Sequence, residues 1–449
     1  MNNQIEMNKL LQVMIIFIIL FFSCTQDKIS NPLDSEIKGA LDRLAKTNSY
    51  DYYIFPESDD VVSLPNQDPS NPVTLDKIKL GQLLFHETGL AQGASQEISL
   101  ETYSCSSCHI SSAGFTPGRM QGIADGGLGY GEDRELWQSY DENEIDAQGL
   151  RPLTILNVGY MENTLWSGLF GPFGVNEGTE HLWGIDPLSE VNHLGLAALE
   201  TQNIEGLDLH RLEITDKVLD EYGYRELFDL CFPEIPVEER YNVKTASFAL
   251  GAFLRNVLAS EAPLQNFLKG DNSALTEMQK RGALLFLGKA RCSSCHNSPS
   301  FGNTEFHALG TQDMYHQYEA LNTGETDARN LGRGFFTGEE EDNYAFKVPQ
   351  LYNIVDYTHF FHGSSKTSVR EVVEFKINAK SENSNVSDDH LSPYFRKLYL
   401  SDQEVDELID FLENGLRDPN LIRYVPEEVL SGNCFPNNDP FSVFQTGCD

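Results

Sequence analysis

The sequence predicts a mainly α-helical protein that consists of two similar domains in tandem, with long loops between the helices. Apolar residues recur at helical spacing in several segments, whereas the alternating pattern of a strand is rare and short. A weak internal repeat places similar short motifs in the same order in both halves of the chain, which favours tandem domains. Four segments show the helical spacing: Leu75 to Phe85, Val243 to Leu258, Thr276 to Phe286 and Val405 to Leu412.

Length and charge narrow the range of functions. The chain has 449 residues, enough for two or three domains of roughly 100–200 residues each. Asp and Glu number 68 against 32 Lys and Arg, which gives a net charge of −36. Such an acidic surface repels phosphate backbones and attracts cationic proteins, so nucleic acid is excluded as a partner and a basic protein is favoured.

The first two dozen residues resemble an export signal. Lys9 precedes an apolar run from Leu10 to Phe22, which is too short to span a bilayer comfortably but suits the core of a signal peptide. Ser23 directly before Cys24 is similar to a bacterial lipoprotein cleavage site, and an uncleaved anchor is the alternative. We therefore expect a periplasmic protein anchored to a membrane by lipid on Cys24, with residues 24–70 serving partly as a tether.

Two copies of one cysteine motif point to a cofactor. The sequence Cys-Ser-Ser-Cys-His occurs twice and matches the pattern of c-type haem attachment. Its spacing lets both thiols reach the vinyl groups of one porphyrin, while the adjacent imidazole meets the iron. Zinc ribbons need four ligands and thioredoxin-like pairs have no use for the histidine, so both are weaker interpretations. The attachment residues are Cys105, Cys108, Cys292 and Cys295, and the proximal iron ligands are His109 and His296.

Matching flanks of the two motifs suggest how the chain is divided. Leu80 to Phe85 precedes the first motif much as Arg281 to Phe286 precedes the second. Cys434 and Cys448 suit a disulfide, and Cys231 is left as a buried thiol. The Gly- and acid-rich segment 119–150 is expected to be a surface insertion. The predicted parts are a signal peptide at 1–23, a tether at 24–70, an N-terminal haem domain at 71–235, a C-terminal haem domain at 236–420 and a tail at 421–449.

The chain resembles the bacterial di-haem cytochrome c peroxidases and their MauG-like relatives from about residue 72 to residue 415. The elements that carry the resemblance, in the order of the family, are Leu80 to Phe85, both haem motifs, Leu156 to Gly168, and Phe346 to Gly363. The resemblance implies that the N-terminal haem is the peroxide site, that the C-terminal haem takes in electrons, and that Trp166 bridges the two. It also implies a calcium ion between the haems, held largely by backbone carbonyls and water.

Peroxide chemistry needs an open iron and a group that moves protons. Hydrogen peroxide can bind a haem iron whose only axial protein ligand is His109, and O–O cleavage then needs a general acid and base. The resemblance places Gln202 and Glu213 in this region, with Glu205 and His210 as substitutes, because an insertion blurs the register. No second histidine follows His109 closely, so we expect a site that is open without activation, unless a later histidine closes it.

Lys376 occupies the expected place of the sixth ligand of the second haem. The resemblance puts a Met or Tyr fourteen residues after the histidine of a His-Gly motif, and counting from His362 leads to Lys376. Ser368 and Glu371 predict a helix cap, and the apolar stripe of that helix continues onto Lys376. A neutral amine could bind the iron; the alternative is a lysine that extends its amine toward solvent near a helix end.

Three functions are compatible with these features. The first is a peroxidase that reduces hydrogen peroxide to water at the His109 haem, with electrons from a small basic cytochrome passing through the His296 haem and Trp166. The second is a MauG-like oxidase that modifies a partner protein, and the third is an electron carrier without chemistry at either haem. The sequence leaves open whether the protein is a monomer or a homodimer.

Overall fold

The computed structural model describes residues 31–448 and confirms the prediction of a mainly helical chain. The sheets in this part of the chain are two antiparallel pairs: β1 (Gly127–Leu128) with β2 (Glu135–Leu136), and β3 (Phe306–Ala308) with β4 (Ala345–Lys347). The α-helices, linked by many short 3-10 turns, are α1 (Pro32–Leu44), α2 (Leu75–His86), α3 (Ala198–Leu209), α4 (Tyr224–Cys231), α5 (Val237–Arg240), α6 (Val243–Asn256), α7 (Pro263–Leu268), α8 (Glu277–Leu287), α9 (Arg333–Thr337), α10 (Val369–Asn378), α11 (Asp402–Asp410) and α12 (Pro440–Thr446).

The predicted signal peptide and Cys24 lie outside the described residues. Between residues 31 and 448, no helix has the length and apolar character needed to cross a membrane. All four helices predicted from periodicity are present as α2, α6, α8 and α11. Side chains fix their beginnings: the Thr74 hydroxyl accepts a hydrogen bond from the Lys77 N–H at α2, and Ser401 and Glu404 form a capping box at the start of α11.

Two helix pairs form the frame of the fold, and each contains the helix that precedes one of the two cysteine motifs. α2 packs against α6, and α8 packs against α11. A Cβ atom on Gly81 would lie 2.0 Å from the carbonyl oxygen of Ala249, and one on Gly282 would lie 2.0 Å from that of Glu407. Only a residue without a side chain permits these approaches. The two glycines hold matching places in the internal repeat, so both pairs have the same closest contact.

The two halves also share unusual backbone conformations. Phe115 and Phe301, which follow the two cysteine motifs, have φ angles of 59° and 54°. Asn157 and Asn353 have φ angles of 58° and 56°. Residues other than glycine rarely adopt this left-handed region. Because the same conformations recur at matching places, the internal repeat extends from the sequence to the backbone.

The segment expected to be a tether is folded from Pro32 onward. α1 packs on α8, and its Ile37 and Leu41 are fully buried. Tyr53 and Phe55 are likewise buried in the main core. The few apolar residues were hidden in the sequence among Asp, Ser, Asn and Pro, which made the average composition resemble a spacer. The structured part of the chain therefore begins well before the segment that carries the resemblance.

The segment 119–150 is also more buried than expected of a surface insertion. Ile123, Tyr140 and Ile145 belong to a small core of their own. The Arg134 guanidinium is buried and donates hydrogen bonds to three backbone carbonyls. These hydrogen bonds satisfy the buried guanidinium. The average polarity of the segment does not reveal them. The segment is thereby fixed in place and can contribute to a cavity.

The C-terminal tail returns to the first half of the chain. The expected disulfide joins Cys434 and Cys448. Between them, the carbonyl oxygen of Pro436 accepts hydrogen bonds of 3.0 Å from the hydroxyls of Ser104 and Ser107. Both serines belong to the loop of the first cysteine motif, so that loop is held by residues from the far end of the sequence.

Candidate active site

The first cysteine motif forms a tight helical turn with an anchored histidine. Nδ1 of His109 lies 3.1 Å from the carbonyl oxygen of Phe115, which leaves Nε2 to bind a metal. Burial lowers the pKa of His109 to about 4 despite this hydrogen bond, so the ring is neutral at physiological pH. Cys105 and Cys108 form no disulfide, and both line a cavity together with His109.

The second motif repeats this arrangement. Nδ1 of His296 lies 2.6 Å from the carbonyl oxygen of Phe301, and burial lowers the pKa of His296 to about 4. Cys292 and Cys295 are also free of disulfides. Phe115 and Phe301 are the residues with left-handed backbone, so in each half an unusual conformation positions the carbonyl that holds the histidine.

The cavity beside the first motif has a volume of about 520 Å³. Arg151 lines it, and Nη1 of this residue is buried without a hydrogen bond to any described residue. Burial lowers the pKa of Arg151 to about 10. Nε of Arg151 donates a 2.9 Å hydrogen bond to the carbonyl of Phe361, but no carboxylate of residues 31–448 forms an ion pair with the guanidinium. A buried cation without an ion pair suits an anionic ligand, and a porphyrin carries propionates. The free thiols, the available imidazole nitrogen and the unpaired guanidinium therefore fit a c-type haem.

Trp166 lies between this cavity and the second half of the chain. Only 7% of it is exposed, and its indole Nε1 donates a 2.7 Å hydrogen bond to the carbonyl of Arg151. The carbonyl of Trp166 accepts 2.9 Å from the backbone N–H of Lys347 on β4. The rings of Phe346 and His362 approach the indole at 6.2 and 6.4 Å between centres. Trp166 thus contacts both the cavity and the C-terminal half.

Three of the four candidates for proton transfer line the cavity. Gln202, Glu205 and His210 lie on α3 or directly after it. Glu213 is exposed to solvent and lies outside the lining. The family spacing suggested Glu213, but α3 ends before it and Arg211 turns the chain with a left-handed φ of 57°. The structure therefore does not bring Glu213 together with the other three.

His210 is paired with a carboxylate that the sequence did not reveal. Its Nδ1 lies 2.6 Å from Oδ2 of Asp146, which also lines the cavity. Burial lowers the pKa of His210, but the charge and hydrogen bond of Asp146 outweigh it and raise the pKa above its usual value. Asp146 is 64 residues away in sequence and stands in an acid-rich segment, where no signal distinguished it from its neighbours.

A buried ion pair fixes the helix that carries these residues. The guanidinium of Arg255 on α6 donates hydrogen bonds of 2.6 and 2.8 Å to the two carboxylate oxygens of Glu200 on α3. Neither side chain is more than 1% exposed. Asn71 donates a further 2.9 Å hydrogen bond to Glu200. Because paired charges in the interior tolerate little movement, this contact sets the position of α3 against α6.

Lys376 lies close to the second motif. The predicted capping box starts α10, and burial lowers the pKa of Lys376 to about 8 while the thiols of Cys295 and Cys292 oppose the shift. Its Nζ is 5.8 Å from the ring centre of Phe361, and within residues 31–448 no ion pair holds it. Burial and the charge of Lys376 both lower the pKa of His307, so the side chains of Lys376 and His307 lie in the same region.

Comparison with known proteins relates the chain to haem peroxidases. The family model described as di-haem cytochrome c peroxidase matches residues 75–273. The methylamine utilization protein MauG of Methylorubrum extorquens is 25% identical over 355 residues, which are 79% of this chain and 82% of that protein. The cytochrome-c peroxidase IdrP1 of a Pseudomonas species is 24% identical over 364 residues, which are 76% and 81% of the two chains.

Two solved structures have a similar fold. A MauG-like protein associated with microbial copper homeostasis superimposes with a TM-score of 0.56 at 23% identity, covering 82% of this chain and 96% of that one. The diheme peroxidase BthA from Burkholderia thailandensis gives a TM-score of 0.50 at 15% identity, covering 80% and 89%. The shared fold extends over both halves of the chain, since each superposition covers about four fifths of it.

Proposed function

The chain belongs to the di-haem cytochrome c peroxidase family, and from that membership we propose that it reduces hydrogen peroxide to water with electrons from a protein donor. Members of this family carry two c-type haems. In this chain the thiols of Cys105 and Cys108 attach one haem and His109 ligates it, and the second motif holds the other. The matching helix pairs and backbone conformations support one haem domain in each half.

One observation carries the proposal: the first cavity combines a haem attachment motif with a paired histidine and carboxylate. An electron carrier needs thiols, a proximal histidine and a partner for the propionates, which here are the motif and Arg151. It does not need a proton-transfer group such as His210 with Asp146, both of which line the same space. A histidine held by a carboxylate suits general acid and base catalysis. The cavity is therefore suited to chemistry at the haem.

Several residues of the cavity have separate roles in proton transfer. A haem held by Cys105, Cys108 and His109 would supply an iron that can bind peroxide. Nε2 of His210 takes the proton from the near oxygen and returns it to the far oxygen, which leaves as water. Asp146 holds the ring through Nδ1 and stabilises the imidazolium between the two transfers. Gln202 orients the peroxide, and Glu205, whose pKa is raised by burial and nearby carboxylates, supplies a further proton.

A haem held at His296 would take in electrons, and Trp166 would pass them to the first cavity. The contacts of Trp166 with the cavity and with β4 support this route. The net charge of −36 favours a small basic cytochrome as donor, because opposite charges steer association. Lys376 would ligate the iron of the second haem, since its amine lies near both attachment thiols and forms no ion pair within residues 31–448.

Export and anchoring complete the proposal. The motif around Cys24 supports a periplasmic protein with an N-terminal lipid anchor, and the disulfide between Cys434 and Cys448 suits an oxidising compartment. A calcium ion between the haems, held by backbone carbonyls and water, needs no cluster of acidic side chains; residues 31–448 contain no group of His, Cys, Asp and Glu arranged for a metal.

Steady-state kinetics of the purified di-haem protein test the proposed activity. Hydrogen peroxide and a reduced small basic cytochrome are mixed with the protein, and cytochrome oxidation is followed by absorbance. We expect catalytic turnover that slows as ionic strength rises, because salt screens the attraction between donor and protein. His181→Gln, at an exposed histidine outside the cavity, is the control and should keep the wild-type rate. Two low-spin haems that are inert to peroxide would instead indicate an electron carrier.

A MauG-like oxidase is the second candidate. The observation that favours it is the similarity to the methylamine utilization protein MauG of Methylorubrum extorquens, which is 25% identical over 355 residues. In this case, cytochrome turnover would be slow, and a partner protein incubated with the enzyme and peroxide would acquire a covalent change detectable by mass spectrometry. Rapid cytochrome turnover without such a change would favour the peroxidase.

A further inference from the structure

A row of aromatic rings connects the second haem motif with the protein surface. Phe286 lies 6.5 Å from the ring of His296 and 5.0 Å from that of Phe301, measured between centres. Tyr53 continues the row at 5.8 Å from Phe301 and 5.2 Å from Tyr52. Every step is within the range of direct aromatic contact. The row thus leads from the proximal histidine to the segment that precedes the family-like core.

The two ends of the row differ in exposure. Tyr53 is fully buried, and its hydroxyl donates a 2.9 Å hydrogen bond to the carbonyl of Asn297, the residue after His296. Tyr52 is partly exposed to solvent. Burial raises the pKa of Tyr52, and the charge of the nearby Glu162 carboxylate adds to this effect. The row therefore begins in contact with the haem motif and ends at a partly exposed phenol.

The side chains around the row are rich in phenols. Tyr352 stacks on Phe301 with 6.0 Å between centres and 9° between planes. Phe55 contacts Tyr352 at 5.1 Å and Tyr160 at 5.2 Å. Leucine or isoleucine would fill such a core at least as well without a buried hydroxyl. Tyrosine adds a side chain that can give up an electron and a proton.

We propose that Tyr52 is a second oxidation site, at which small phenols in solution are oxidised by equivalents relayed from the C-terminal haem through Phe301 and Tyr53. This inference rests on the proposed function, because hydrogen peroxide reduced at the first cavity is the oxidant. The substrate class follows from Tyr52, the residue at the outer end of the row. A phenol that approaches Tyr52 meets a side chain of the same chemistry. Cytochrome and phenol would then be alternative electron donors with separate sites.

The electrons and protons of this reaction balance. Tyr52 gives one electron to the haem side through the rings and releases its phenolic proton to solvent, to which it is partly exposed. A phenol at the surface then returns one electron and one proton to Tyr52 and leaves as a phenoxyl radical. Two such events supply the two electrons that one hydrogen peroxide needs, and the two protons released to solvent balance the two that are taken up when the two waters form.

Peptide mass spectrometry after peroxide treatment tests the relay directly. The holoprotein receives hydrogen peroxide without a cytochrome donor, and oxidised or cross-linked tyrosines are mapped. We expect modification at Tyr52 before Tyr318 and Tyr399, although these are 85% and 78% exposed. If free peroxide were the oxidant, the two more exposed tyrosines would react first. That order would overturn the proposal.

Matched variants test each end of the row. Tyr52→Phe should lower phenol oxidation roughly tenfold and remove a peroxide-dependent tyrosyl signal in the EPR spectrum, whereas Tyr399→Phe should change neither. Tyr53→Leu removes a ring and Tyr53→Phe keeps it, while both lose the hydrogen bond to Asn297, so only the leucine variant should protect Tyr52 from oxidation. Wild-type phenol oxidation in Tyr52→Phe would overturn the proposal.

The peroxide reaction is measured in the same samples. Rapid peroxide consumption without oxidation of Tyr52 would overturn the relay alone and leave the peroxidase in place. Failure to consume peroxide at all would overturn the proposed function, and the relay with it, because no oxidising equivalents would exist to pass on. The two failures are therefore distinguished by one additional absorbance measurement.

Discussion

Replacement of His210 tests the chemistry of the first cavity most directly. His210→Gln removes the proton-transfer group but keeps a polar side chain of similar size. General acid and base catalysis by one side chain contributes about 10²- to 10⁴-fold, so we expect the second-order rate constant for the reaction with peroxide to fall within this range. His193→Gln, at an exposed histidine that contacts Trp183 outside the cavity, is the matched control and should react at the wild-type rate.

The partner of His210 allows a finer test through pH. In the wild type, Asp146 raises the pKa of His210 although burial acts in the opposite direction. An imidazole accepts a proton only while it is neutral, so the rate should rise with pH through this raised pKa. Asp146→Asn removes the charge but can still accept a hydrogen bond from Nδ1. The inflection should therefore move to lower pH, with a slower plateau because the base is weaker.

Stopped-flow absorbance across a pH series, combined with EPR spectra of the resting protein, measures both effects. Wild-type rates in His210→Gln would refute the assigned role. A different refutation would be a first haem that is low-spin at rest and becomes high-spin in His210→Gln. In that case His210 would be an iron ligand that closes the site, and peroxide would react faster in the variant than in the wild type.

Three further predictions address the second haem and the frame of the fold. Lys376→Met should shift the low-spin EPR signal of the second haem without loss of covalent haem, and an unchanged signal would mean that another group is the ligand. Arg255→Met should lower the free energy of unfolding by about 3–5 kcal/mol in urea denaturation, because it leaves a buried carboxylate unpaired. The same change at Arg370, whose ion pair is about half exposed, should have little effect. Equal losses of stability in the two variants would contradict the argument. Gly81→Ala should cost about 1–3 kcal/mol in thermal unfolding, because the new methyl group meets a backbone carbonyl of α6, whereas Gly39→Ala on α1 has room for a methyl group and should not destabilise.

Local patterns in the sequence were sufficient to predict part of the structure. Helical periodicity and capping residues depend on neighbours along the chain, so the start of α10 could be predicted from Ser368 and Glu371. The disulfide between Cys434 and Cys448 followed from their isolation near one end of the chain. In each case the deciding interaction spans few residues.

Contacts between distant residues could not be predicted in this way. The choice among the candidates for proton transfer depended on where α3 ends and how Arg211 turns the chain, which no spacing rule contains. Asp146 becomes a partner of His210 only through folding. Tyr53 and Phe55 lie in a polar segment whose average composition hides them, and only their contacts show that the segment is part of the core.

The position of the C-terminal tail has a consequence for folding during synthesis. The loop of the first cysteine motif completes its hydrogen bonds only with Pro436, 329 residues beyond Ser107. During synthesis the N-terminal half emerges first, and it must wait for the last part of the chain before this loop reaches its final form. A chain that ends shortly before residue 436 would therefore contain both haem motifs, but the loop of the first motif would lack its final hydrogen bonds.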